Sequence, residues 1–166
     1  MKKFAIALFA SLLVFAASPA WTTQATTWGE GAGRFVAAFP GTPEVGPFGD
    51  LSTSYDLSLE TMRIAILVTL PPRAITPEEQ EQVLDATPAT FASEAGIAEP
   101  RMRRIDAHGL RGWALEGRMV DGTRVLARGF VGDRAVYTLR VNIAPGADGS
   151  ADQLATAFLD SFRPAP

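Results

Sequence analysis

Between residues 101 and 143 four runs, Arg101 to His108, Arg111 to Val120, Thr123 to Val131 and Arg134 to Ile143, are separated only by turn-forming His108-Gly109, Asp121-Gly122 and Gly132-Asp133. Links that short leave no room for a crossover, so each run must lie antiparallel to the one before it. The stretch is a β-meander. Side chains alternate across a strand, so Trp113, Leu115 and Met119 share one face, as do Ala135, Tyr137, Leu139 and Val141 in the last run.

Upstream, GRFVAAFPGTPE opens with a short strand in which Phe35, Ala37 and Phe39 alternate with Arg34, Val36 and Ala38. Pro40-Gly41 stops it, because proline has no N–H to give a ladder. Leu51 to Glu60 and Met62 to Leu70 alternate again and read as a hairpin around Glu60-Thr61, closed by Pro71-Pro72. Thr76-Pro77-Glu78-Glu79 supplies a cap, a first-turn proline and a capping-box acid, and Val83, Leu84, Thr87 and Phe91 follow at helical spacing up to Gly96. Pro88 sits inside this helix or, with Thr87 as cap, opens a second short one. Ser150 caps a last helix, with Gln153 at the capping-box position and Leu154, Phe158 and Phe162 as its apolar stripe. Two main helices and about seven strands, never in βαβ order, predict an α+β sandwich built on a mostly antiparallel sheet.

The first twenty residues, MKKFAIALFASLLVFAASPA, have a different logic. Lys2 and Lys3 precede an apolar stretch too short to span a bilayer comfortably, and Ser18-Pro19-Ala20 puts small residues where a peptidase would cut. They read as a signal peptide, residues 1–20, cleaved after Ala20 and directing the rest to a bacterial periplasm. Residues 21–33, WTTQATTWGEGAG, have no sustained period and are expected to be a flexible lead-in, with Trp21 and Trp28 folded back onto the body. Residues 34–164 then form a single α+β domain, and nothing after residue 20 is long and apolar enough to cross a membrane.

Composition removes several chemistries. The chain has 15 Lys and Arg against 18 Asp and Glu, and both lysines lie in the leader, so cleavage leaves 13 arginines against the same 18 acids. That excess of negative charge argues against nucleic acid as a partner. With no cysteine there is no disulfide or thiol nucleophile, and with one histidine there is no multi-histidine metal centre. No cofactor or metal is expected. The glycines of GEGAG precede a strand rather than joining strand to helix, which fails the structural test for a phosphate cradle.

PRMRRIDAHGLR is the densest cluster of polar candidates. Strict alternation puts Arg101 and Arg103 on one side and Arg104, Asp106 and His108 on the other. A guanidinium fork suits carboxylate or phosphate, so Arg101, Arg103, Arg104, His108 and Arg111, with Trp113 and Tyr137, are the candidate ligand- or partner-binding residues. Pairing with cross-strand acids such as Glu116 is the plainer alternative. Asp106 and His108 with Ser161 would be a catalytic trio. Ser161, however, lies in FLDSF at a helix end, where it is expected to face outward, and no G-x-S-x-G elbow exists, so no catalytic residue is assigned.

Three stretches, GRFVAAFPGTPE, RGFVGDRAVYTLRVN and ATAFLDSFRP, make residues 33 to 164 resemble the PsbP/Mog1-like family of α+β domains, in particular its small exported bacterial members. The resemblance implies an antiparallel sheet flanked by helices and a role in binding or assembly. Photosystem members of that family bind a protein complex in the thylakoid lumen and nuclear members bind a small GTPase. No partner-binding loop of either branch matches positions in this sequence.

The expected function is therefore that of an exported, periplasmic, non-catalytic binding or assembly protein, which engages an envelope protein through its sheet surface or a groove between sheet and helices. The alternative is a carrier for a small apolar or anionic ligand, with Trp113, Tyr137, Phe35, Phe39 and Phe91 lining a pocket. Cleavage after Ala20 predicts a processed chain that begins at Trp21. Intact-mass measurement of protein recovered from the periplasmic fraction checks this, and a mass that retains Met1 to Ala20 refutes it.

Overall fold

The computed structural model describes residues 24–165 and contains ten strands and two helices among them. The proposed leader and Trp21 lie outside the described residues. In chain order the first elements are β1 (Thr26–Trp28), a single 3-10 turn (Gly31–Gly33), β2 (Phe35–Ala37), β3 (Glu44–Pro47), β4 (Ser52–Ser58), β5 (Met62–Thr69) and α1 (Pro77–Glu94). They are followed by β6 (Ile97–Ala107), β7 (Leu110–Met119), β8 (Arg124–Val131), β9 (Val136–Ile143), α2 (Gly149–Ser161) and β10 (Arg163–Pro164).

The turns do what their residues dictate. His108 and Gly109 both adopt positive φ, 57° and 77°, and Gly122 does so at 86°, which closes the tight links of the meander. The result is a fully antiparallel sheet in the order β3-β4-β5-β9-β8-β7-β6, beside a small sheet in the order β1-β2-β10. The fold is α+β.

Alternation then assigns the two faces of the large sheet. Ile64, Ile66, Leu139 and Val141 project to one side, where α2 and the small sheet bring Phe158, Phe162, Phe35 and Phe39 against them. Trp113, Leu115, Val125 and Ala127 project to the other side, beneath Leu84 and Ala92 of α1. All of these side chains are buried, and no polar or charged residue is buried with them among the described residues. Each buried leucine, isoleucine or phenylalanine contributes roughly 1.5–3 kcal/mol of transfer free energy, so these two apolar layers hold the fold together.

Each helix is also fastened by sheet arginines. On the α1 side Arg104 pairs with Asp85 and lies 3.8 Å from Glu81, while Arg111 pairs with Glu81. On the α2 side Arg124 reaches Asp152 at 2.7 Å, and Arg128 reaches Asp160 at 2.6 Å and the Leu159 carbonyl at 3.0 Å.

Several sequence expectations need correction. The Phe35 strand belongs to the small sheet, so the large sheet reaches seven strands only through β3, whose Glu-Val-Gly-Pro sequence carries no strand signal. The lead-in through residue 33 is partly ordered: β1 pairs with β2, and Trp28 donates its Nε1–H to the Ala37 carbonyl at 3.3 Å and packs edge-on to Phe39. The last helix is capped by Asp148, whose carboxylate accepts from the Ser150 amide at 3.0 Å, rather than by Ser150. Pro88 lies within one continuous α1, on the buried stripe Leu84, Pro88, Ala92, where contact with the sheet offsets the missing helix hydrogen bond. The start of α1 is the capping box the sequence predicts, with Arg73 and the Thr76 amide holding the Glu79 carboxyl down to about 2.

Gly129 lies directly opposite Trp113, and the indole occupies the space that a side chain at 129 would need. Gly129→Ala should therefore destabilise the fold by about 1–3 kcal/mol through overpacking. Gly149→Ala, in open space at the start of α2, should leave stability equal or higher. Urea unfolding compares the two, and equal midpoints would contradict the packing described here.

Candidate functional site

α1 lies over β6, β7 and β8 but not over the other half of the sheet. Between it and the uncovered strands opens a groove of about 860 Å³. Its wall is the outward side of α1, with Ala86, Thr87, Thr90 and Phe91. The floor is the second face of β9, β5, β4 and β3, and the register fixes its rows. One runs Arg140, Ala65, Asp56, Glu44 across four strands, and the next runs Thr138, Leu67, Ser54, Gly46. Phe48, 63% exposed, forms an apolar lip at the β3 end.

The charges on this floor are unequally matched. Arg63 donates through Nε and Nη2 to Asp56 Oδ1 at 3.1 and 2.9 Å, and Ser54 donates to Asp56 Oδ2. Asp56 is thus fully engaged. Arg140 is different: its Nε donates to Asn142 Oδ1 at 2.7 Å, and its guanidinium lies over the Phe91 ring at 5.6 Å. Among the described residues no carboxylate pairs with it, and neither Nη makes a hydrogen bond. Burial, then the nearby charge of Arg63, push its pKa down, with Asp56 opposing.

The candidates read from the sequence are not gathered here. Arg101 and Arg103 lie on the α2 side of β6, opposite Glu116 and Ala114 of β7. Arg104 and Arg111 are occupied by acids of α1. Trp113 is 2% exposed and packs against Phe91 at 5.6 Å. Tyr137 is buried, its hydroxyl donating toward the carbonyls of Ala32 and Arg34 at 3.2 and 3.3 Å, and burial pushes its pKa up. A second hollow, of about 300 Å³, is bordered by Arg103, Arg104 and Trp113 with Asp85, Pro88 and Met102.

The catalytic trio falls apart. Asp106 sits opposite Arg111 on the α1 side of the sheet. His108 leaves that side because its left-handed backbone turns the chain, and its Nε2 lies 3.2 Å from Arg163 Nη1. Ser161 does not face outward as its place at a helix end suggests. It accepts from the Ala38 amide at 2.8 Å and donates to the Phe158 carbonyl at 2.6 Å, tying the end of α2 to the chain after β2. No group of three acidic or histidine side chains that could hold a metal occurs among the described residues.

The groove residues that matter most, Arg140, Thr138 and Asn142, form the polar face of TLRVN. A strand inside a sheet whose second face is Thr, Arg and Asn must leave that face uncovered, and that alternation was the available signal.

No family model matches the sequence, and no curated protein does. Solved structures do. The solution structure of cyanobacterial PsbP from Synechocystis sp. PCC 6803 aligns with a TM-score of 0.59 at 12% identity, over 92% of this chain and 99% of that one. A Pseudomonas aeruginosa protein of unknown function aligns with a TM-score of 0.47 at 10% identity, over 86% of this chain and 98% of that one. The first likeness shows the fold, and the second is too distant to add to it.

His108 gives a check on this electrostatic picture. Burial, then the positive charges of Arg163 and Arg128, lower its pKa from 6.5. The folded value lies below the unfolded one, so the unfolded chain takes up the proton first. Stability from this site is complete above about pH 6.5 and declines as the pH falls through that value. In Arg163→Gln the His108 titration followed by NMR should move to higher pH, and an unchanged midpoint would contradict the assignment.

Proposed function

We propose that this is a non-catalytic binding protein of the bacterial cell envelope that receives its target in the groove between α1 and the uncovered half of the sheet. The observation that carries the reading is the groove itself. A volume of about 860 Å³ falls within the range of small-molecule sites, roughly 300–1,000 Å³, and it combines an apolar lip with converging polar groups. The PsbP-like fold supports a role without chemistry. So does the dispersal of Asp106, His108 and Ser161, each held by contacts of its own. The envelope location rests on the leader read in residues 1–20.

Two kinds of target fit: an envelope protein docking a segment into the groove, or a small ligand carried in it. The carrier reading changes in one respect. Trp113, Tyr137, Phe35 and Phe39 fill the two cores and do not line the groove, which only Phe91 of that aromatic set borders. The half-buried, acid-free Arg140 favours the small ligand.

Photo-crosslinking residues introduced at Thr90, in the groove wall, and at Val120, 96% exposed on the β7–β8 turn, separate the groove from the general surface. In extract from the source organism the Thr90 probe should give an adduct that excess unlabelled protein competes away and that a groove-filling Thr87→Trp removes. Labelling as strong from Val120, or indifferent to Thr87→Trp, would refute the assignment.

A further inference from the structure

We propose that Arg140 anchors a single carboxylate of a small amphipathic ligand whose apolar body lies along Phe91 toward the lip at Phe48. This deepens the groove reading and rests on it.

The chemistry follows from how Arg140 is held. Its Nε is committed to Asn142 at 2.7 Å, and one face of its guanidinium is covered by the Phe91 ring at 5.6 Å. Both contacts fix the plane and leave the terminal pair, Nη1 and Nη2, free. Two parallel N–H donors in one plane match the two oxygens of one carboxylate, giving a bidentate, charge-assisted pair. A half-buried cation that no carboxylate pairs with is costly, and burial and the charge of Arg63 together lower the pKa of Arg140, a cost that an arriving anion relieves. The acid nearest to it in the floor cannot substitute, because Asp56 already accepts from Arg63 and Ser54.

The remaining charges narrow the ligand further. Glu44 and Glu94 border the groove, so its lining carries two arginines and three acids. Glu44 is three strands away from Arg140 along its row, and neither acid pairs with it. The lining therefore has an excess of one negative charge, which opposes a dianion such as phosphate more than a monocarboxylate. The apolar part has its own surface, since Phe91, Ala65 and Leu67 lead from Arg140 toward Phe48. An extended peptide added to the sheet edge fits less well: β3 has four residues, and Pro47 has no N–H for a ladder.

Calorimetry and amide NMR on the purified protein test this with octanoate and phenylacetate as probes, octanamide as the neutral counterpart and inorganic phosphate as the dianion. Both carboxylates should bind and shift the amides of Thr90, Thr138 and Asn142, with octanamide and phosphate weaker by about tenfold or more. Arg140→Gln should weaken octanoate by about tenfold or more. Arg140→Lys, which keeps the charge but loses the fork, should also weaken it and serves if the glutamine variant does not fold. Octanamide binding in the groove as tightly as octanoate would overturn the carboxylate anchor while leaving the groove as the binding site. No groove shifts with either carboxylate at millimolar concentration would also overturn it, and the Thr90 crosslink then decides separately whether the groove binds anything.

Discussion

The pairing of β5 with β9 holds the molecule together. Strands β3 to β5 come from one half of the chain and β6 to β9 from the other, and the two halves meet in the large sheet only along this ladder, from Met62 opposite Ile143 to Thr69 opposite Val136. It closes a loop of more than sixty residues, so its entropic cost is met by side chains rather than by the backbone bonds alone. Ile64, Ile66, Leu139 and Val141 from these two strands are fully buried together under α2 and the small sheet. A slip of β9 by one residue against β5 would send Leu139 and Val141 to the groove side and bring Arg140 and Asn142 into the aromatic core, so the packing admits one register.

The same ladder makes the groove. Because one face of β5 and β9 is wholly apolar, their other face can be polar without loss of stability, provided no helix lies on it. α1 is kept to one side by Arg104 and Arg111, which hold Glu81 and Asp85 over the far end of the sheet. α2 is held on the opposite face by Arg124 and Arg128 through Asp152 and Asp160. Exposed ion pairs of this kind contribute little stability each, but they choose which part of the sheet each helix covers. Arg140 stands apart from these clamps, facing open space instead of a helix carboxylate.

Local signals in the sequence were good guides to local structure. The meander followed from its glycine turns, and α1 from Thr76, Pro77 and Glu79. What escaped were elements whose existence depends on distant partners. β1 and β10 are short segments that become strands only because β2 offers both its edges, and β3 exists because β4 has an edge to pair. The binding candidates in PRMRRIDAHGLR were chosen for density of charge, yet density is also what fastening a helix requires, and Arg104 and Arg111 are used that way. The groove draws on residues from 44 to 142, with no spacing for a motif to reveal. The alternation in TLRVN was its one trace.

Trp113 connects the interior to that groove. Its indole rests on Gly129 on one side and meets Phe91 on another, and Phe91 in turn carries the guanidinium of Arg140. Three aromatic and cationic groups in series couple a dry chromophore to the one place where a guest would alter the local field. A guest anion settling on Arg140 as proposed would change the field at this indole, and Trp113 emission would then serve as an optical reporter without any added dye.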